Sequence, residues 1–228
     1  MDTAATHRAP AHEANRRAAL DASWQRRRIA VATRIETCAL SLFLERGLES
    51  VSVDEIAQAA EISRRTFYRY FETPTDIVRT VLCRSMDRWA QAVRERPASE
   101  PILDVFRTAD AFALSTPENA ALVRLALSVM RRSPEAWSRI SGPIQAHTTQ
   151  TYRDIIAERL SATGQDPKSA GAIAAALTAI MIHLAEQSAR EGRNQEPEEF
   201  GQAIASFQEM LAGSQRTMPC NPSLADKP

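Results

Sequence analysis

Apolar residues recur at intervals of three and four along most of the chain, the spacing of one face of an α-helix. Val31, Ile35, Cys38, Leu42 and Phe43 form one such face, and Phe200, Ile204, Phe207 and Leu211 form another near the far end. Ile56, Ala57 and Ala60 line a shorter one. No run alternates Val, Ile or Thr with polar residues between turn signals, so no sheet is predicted. The pattern predicts helices over 26–46, 53–60, 64–70, 74–95, 101–115, 117–131, 134–141, 143–162, 167–191 and 197–212, in an all-α fold.

Polar residues mark where these helices begin. Proline suits the first helical turn, which needs no backbone donor, and a short polar side chain before it caps the free amides. Thr73-Pro74, Thr116-Pro117, Ser133-Pro134 and Asp166-Pro167 have this form, with Glu100-Pro101, Gly142-Pro143 and Glu196-Pro197 as weaker versions. Gly47 supplies a left-handed C-cap for the first helix. Ser52-Val53-Asp54-Glu55 reads as a capping box, in which Ser52 caps the helix and Glu55 reaches back. Helix 167–191 is apolar nearly all round (Ala172, Ile173, Leu177, Ile180, Leu184), which predicts burial on several sides. Its apolar run, Ala172 to Ala185, reads as too short to span a bilayer and contains His183, so no membrane is expected.

These elements imply four regions: a flexible N-terminal arm (1–23), a small helical domain (24–73), a larger one (74–213) and a flexible tail (214–228). Arg16, Arg17 and Arg26 to Arg28 precede no apolar stretch of signal-peptide length, so no signal peptide is expected. Lys+Arg and Asp+Glu both number 28, so net charge does not announce nucleic acid and local placement must decide. Nearly all the cations are Arg, with Lys only at 168 and 227, and the guanidinium fork suits phosphate and guanine. Cys38, Cys83 and Cys220 form no CxxC pair or metal-ligand spacing, which fits a reduced, cytoplasmic compartment. No Ser/His/Asp set, carboxylate pair or glycine-rich phosphate loop stands out, so no enzyme, metal site or cofactor is expected. His183 and His147 read as satisfied core histidines.

The informative stretch follows Gly47. The short helix after Ser52 turns through Glu61-Ile62 into a second, Ser63-Arg64-Arg65-Thr66-Phe67-Tyr68-Arg69-Tyr70-Phe71. Two short helices joined by a tight turn, the second rich in Arg, Thr and Tyr, make a helix-turn-helix whose second helix lies in the major groove. Residues 28–80, through Cys38-Ala39-Leu40, Phe43, Gly47, Ser52 to Ala57 and Ile62 to Phe71, resemble the DNA-binding domain of the TetR family. Beyond residue 80 only helix number and layout are similar.

The resemblance implies an N-terminal three-helix DNA-binding domain and a larger C-terminal domain for ligand sensing and dimerisation. It implies that Ser52, Ser63, Arg64, Arg65, Thr66, Tyr68, Arg69 and Tyr70 meet double-stranded operator DNA, while Phe67 and Phe71 point inward toward Leu42 and Phe43. Two departures stand out: Pro74 and Thr75 occupy a region where the family often carries lysine, and Glu61 sits where glycine is common in the turn. Helices 167–191 and 197–212 resemble the pair that forms the family's dimer interface. Trp89, Phe106, Met130, Trp137 and Tyr152 are candidate lining for an unknown small-molecule effector, with Phe112 and Met181 as further core candidates. The implied function is a cytoplasmic homodimeric repressor released by its ligand. An activator or effector-independent regulator of the same fold is an alternative, and a helical enzyme or adaptor keeping the motif as scaffold is another.

Overall fold

A computed structural model describes residues 9–102, 104–106, 116–191 and 197–216 of the chain. Its helices are α1 (Ala9–Arg46), α2 (Val53–Ala59), α3 (Arg64–Tyr68), α4 (Pro74–Arg94), α5 (Pro117–Arg132), α6 (Pro134–Ala162), α7 (Ala170–Arg190) and α8 (Pro197–Arg216). Short 3-10 turns occupy Leu48–Ser50 and Pro167–Ser169. Among the described residues there is no strand. Most of the predicted helix 101–115 lies outside them, as do Phe112 and Cys220.

The cap chemistry takes the predicted form. Thr73 Oγ1 accepts from the Asp76 amide at 3.3 Å, and Asp76 Oδ2 accepts in return from the Thr73 amide and hydroxyl at 2.9 and 2.8 Å. Thr116 accepts from the Asn119 amide, Ser133 from that of Ala136 and Asp166 from that of Lys168. Each bond satisfies an amide that the first helical turn leaves without an internal partner.

Two expectations change. The first helix begins at Ala9 rather than 26, so residues 9–23, read as part of a flexible arm, are helical. No proline or glycine interrupts Ala11 to Arg46, and alanine and arginine are strong helix formers. Residues 134–162 form one helix, with Pro143 inside it rather than at a break. Proline removes one internal hydrogen bond there, while Ile140 and Thr148, both buried, pack on either side of it.

The chain divides into two compact units. The first contains residues up to Val78 together with Leu125–Ala136. Its core includes Ile35, Leu40, Phe43, Ile56, Phe67, Phe71 and Ile77, all at most 5% exposed. The segment 125–136 belongs here although the sequence pattern groups it with the larger domain. Arg132 Nη1 donates to the Leu44 carbonyl at 2.9 Å, and the Ser133 hydroxyl donates to Glu49 at 2.7 Å.

The second unit contains Arg79–Arg124 and the chain from Trp137 onward. Its core gathers Trp89, Val93, Phe106, Tyr152, Ile155, Ile156, Leu177, Phe200 and Ile204. Arg159 caps the end of α4: its guanidinium donates to the carbonyls of Val93, Arg96, Pro97 and Glu100 at 2.7–3.4 Å. Burial pushes the Arg159 pKa down, opposed by the Glu100 carboxylate. Arg94 forks onto Glu158, and His147 pairs with Asp87 at 2.9 Å. His183, expected in the core, is exposed. It lies on an α7 face that the described residues leave uncovered, so apolar neighbours along the sequence do not imply burial.

Candidate DNA-binding surface

The site starts with how α2 is held. Ser52 Oγ accepts from the Glu55 amide at 3.3 Å, and Glu55 Oε2 accepts from the Ser52 amide at 2.8 Å and its hydroxyl at 2.7 Å. Arg46 pairs with the same carboxylate. The Ser52 backbone bond first, then its hydroxyl and Arg46, lower the Glu55 pKa to about 2. Both hydrogen-bonding roles of the Ser52 hydroxyl are thus engaged within the cap.

The turn between the helices is a Schellman motif. The Ile62 amide donates to the Ala57 carbonyl at 2.9 Å and the Glu61 amide to that of Gln58 at 3.1 Å. This places Glu61 at φ 52, in the left-handed region where a side chain costs about 1–2 kcal/mol. Ser63 caps the next helix immediately, accepting from the Thr66 amide at 3.0 Å and sharing a 2.9 Å hydroxyl bond with Thr66. The turn is therefore only four residues, 60–63, between one helix end and the next cap.

On α3, Phe67 is fully buried and Phe71 nearly so, at 0% and 5% exposure. The opposite side is polar and open. Arg64, Arg65, Tyr68 and Arg69 are exposed, while Thr66 and Tyr70 are half-buried. Arg64 Nη1 reaches Asp54 of α2 at 3.1 Å, and Nη2 donates to the Tyr68 hydroxyl at 3.5 Å. The Tyr68 bond first, then the Asp54 charge, push the Arg64 pKa up. Arg69 lies 5.3 Å over the Tyr70 ring. Arg65 makes no described side-chain bond. Asp54 was not foreseen as a member of this surface, although its opposite charge was legible.

This arrangement offers exposed guanidinium and phenol groups on one side of a short helix anchored by two phenylalanines on the other. The sequence model for bacterial regulatory proteins of the tetR family matches residues 37–81. Over these residues the chain resembles the TetR family. It is 37% identical over 62 residues to the HTH-type transcriptional regulator TcmR of Streptomyces glaucescens, covering 27% of each chain. The chain spans about a quarter of the length of the curated relatives it matches. Its fold is similar over a longer stretch to a solved TetR-family regulator from Syntrophomonas wolfei, with TM-score 0.61 and 20% identity, covering 82% of this chain and 96% of that one. It is also similar in fold to NalD of Pseudomonas aeruginosa, described as the secondary repressor of an efflux pump, with TM-score 0.53 and 18% identity, covering 82% and 97%.

The candidate ligand residues separate. Trp89, Phe106 and Tyr152 meet in one aromatic cluster with ring centroids 4.7–5.0 Å apart. Among the described residues Trp89 Nε1, buried there, has no acceptor. Met130 is buried in the first unit instead, and Trp137 is half-exposed. Among the described residues no group of His, Cys, Asp and Glu is arranged to hold a metal ion. By length and composition the segment Pro167–Ser188 reaches the size of a membrane span, longer than the apolar run suggested.

Proposed function

We propose that the chain is a cytoplasmic homodimeric repressor that binds a pseudo-palindromic DNA operator and lets go when a small molecule occupies its second unit. The observation that carries the reading is the two-sided α3, with Arg65 and Tyr68 exposed and Phe67 buried opposite them. In a helix-turn-helix such a surface enters the major groove, where arginine reads guanine and tyrosine hydroxyls meet phosphates. Ser63, Arg64, Thr66, Arg69 and Tyr70 complete the proposed contact, with Ser52 at its edge.

The dimer reading rests on α7 and α8. Among the described residues only 22% of the most apolar 18-residue stretch within 167–188 is buried, and Phe207 on α8 is 40% exposed. A second copy laid across that surface removes it from water, and its many alanines permit close approach. A lipid bilayer would serve less well, because a DNA-binding domain needs freedom to reach its operator.

The effector reading rests on the aromatic cluster. A buried indole N–H without an acceptor costs about 1–3 kcal/mol, which a ligand carrying an acceptor recovers. An apolar, aromatic-sized molecule with one carbonyl or ether oxygen fits that chemistry. To release DNA it must bind the DNA-incompetent state better, and the coupling is then reciprocal.

Selection of duplexes from a random pool with the full chain tests the reading. Enrichment of an inverted repeat with half-sites about one helical turn apart is expected. A pool with no enriched sequence overturns it.

A further inference from the structure

We infer that the N-terminal half of α1 is a second DNA-contacting element, a helical strip that grips phosphates flanking the operator half-site; this rests on the DNA-binding reading above. The placement follows from three contacts in order along the first unit. Arg46 of α1 pairs with Glu55 near the start of α2, the Cys38 thiol bonds the Ala59 carbonyl at its end, and Arg34 reaches Glu61 in the turn at 3.9 Å. The two helices therefore run antiparallel, and α1 continues past the turn that leads into α3. That turn adjoins the N-terminus of α3, the end that meets base edges in this motif. The extension consequently leaves the domain beside the DNA.

What it carries is cationic. Arg16, Arg27 and Arg34 are spaced by eleven and seven residues, about three turns and two, so they return to one face of the helix. Arg26 and Arg28 stand about a quarter turn or more to either side of that face. This is also the face of Cys38, the side on which α2 packs. Arg16, Arg26, Arg27 and Arg28 are all exposed, and Asp21 is the one acidic residue between Arg16 and Arg34. At about 1.5 Å per residue, Arg27 lies ~10 Å and Arg16 ~27 Å beyond Arg34 along the axis, the length of about eight base pairs.

Among the described residues of the first unit nothing covers this stretch. Leu20, on the arginine face, and Trp24, at its edge, are 53% and 68% exposed, and Ile29 on the opposite side is 60% exposed. Two large apolar side chains laced with arginines make a poor membrane face, which needs a continuous apolar stripe. They suit a duplex, where the indole lies against sugar edges while guanidinium groups take the phosphates.

The test measures binding of the full chain to its pool-selected duplex by fluorescence anisotropy across a salt series. Two duplexes are compared, one cut flush at the half-sites and one with about ten extra base pairs on each side. On the long duplex the slope of log affinity against log salt should fall in magnitude by about two per protomer in R16A/R27A, since each phosphate contact contributes about 0.9. On the flush duplex parent and variant should agree. R26A/R28A, an off-face control that also removes two charges, should keep most of the parent slope. Circular dichroism checks that the R16A/R27A variant stays helical, and R16K/R27K should restore the slope if helix content has fallen. Equal slopes for parent and R16A/R27A on the long duplex overturn the inference. So does an R16A/R27A variant that loses binding only to phosphatidylserine vesicles. If R65A also binds like the parent, the helix-turn-helix reading fails; if R65A alone is impaired, only the flanking strip does.

Discussion

Arg64 and Tyr68 stand one helical turn apart on α3, the guanidinium carbon 5.7 Å from the centre of the phenol ring, while Asp54 of α2 holds the same guanidinium at 3.1 Å. The arginine nearest the start of α3 is thus already partnered on both sides, whereas Arg65 beside it makes no described bond. A phosphate or base that recruits Arg64 must compete with Asp54, whose own charge also repels DNA.

Asp54→Asn should therefore strengthen duplex binding, by up to about fivefold, the range expected for one exposed ion pair. Filter binding of the parent and variant to one duplex at fixed salt measures this. Weaker binding by the variant would mean that Asp54 positions Arg64 rather than restrains it.

Arg65→Ala and Phe67→Ala should fail in different ways. The first should cut operator affinity at least about tenfold and leave the melting temperature unchanged, since it removes an exposed base or phosphate contact. The second removes a fully buried ring and should destabilise the first unit by about 3–5 kcal/mol. Parallel melts and binding curves separate the two, and parental affinity for Arg65→Ala would put DNA on another face of α3.

The Glu55 box gives a pH prediction. The Ser52 and Arg46 bonds pull its carboxyl down to about 2 in the fold, from an ordinary value of 4.5. A depressed pKa contributes stability fully above the unfolded value and loses it as pH falls toward the folded one. Glu55→Gln should thus melt earlier than the parent at neutral pH, and the gap should close between about pH 4.5 and 2. A gap that persists unchanged at pH 2 would show that the carboxylate charge is not what stabilises the cap.

The double variant Ile180→Glu, Phe207→Glu should sediment as a monomer. Each new carboxylate enters an apolar face that, on this reading, a second copy covers, at a cost of several kcal/mol. A dimer that survives both changes would place the interface elsewhere.

How far these features were legible depends on how far apart their causes lie in the chain. The caps at Thr73, Thr116, Ser133 and Asp166, the Ser52–Glu55 box and the two-sided α3 all depend on residues within one or two turns. Periodicity and side-chain chemistry therefore announced them. Glu61 also was readable as an odd residue in a turn, though only backbone geometry shows its φ of 52. What escaped was non-local or unopposed. Arg132 and Ser133 join the first unit through partners 84–88 residues away, which no window on the sequence senses. Pro143 was read as a helix start because tertiary packing, not propensity, keeps α6 continuous. The early part of α1 lacks an apolar stripe, so its local pattern is that of a mobile arm. His183 differs for the opposite reason, since its helix is apolar yet uncovered among the described residues.

The Arg159 clamp bears on the order in which the molecule assembles. The carbonyls it collects lie 59–66 residues earlier in the chain. The turn after α4 cannot take its final path until α6 has arrived, because closing so long a loop precedes any reward from the bonds it brings. Residues 95–100 thus form late, and a protease added during refolding should find them before it finds either helix.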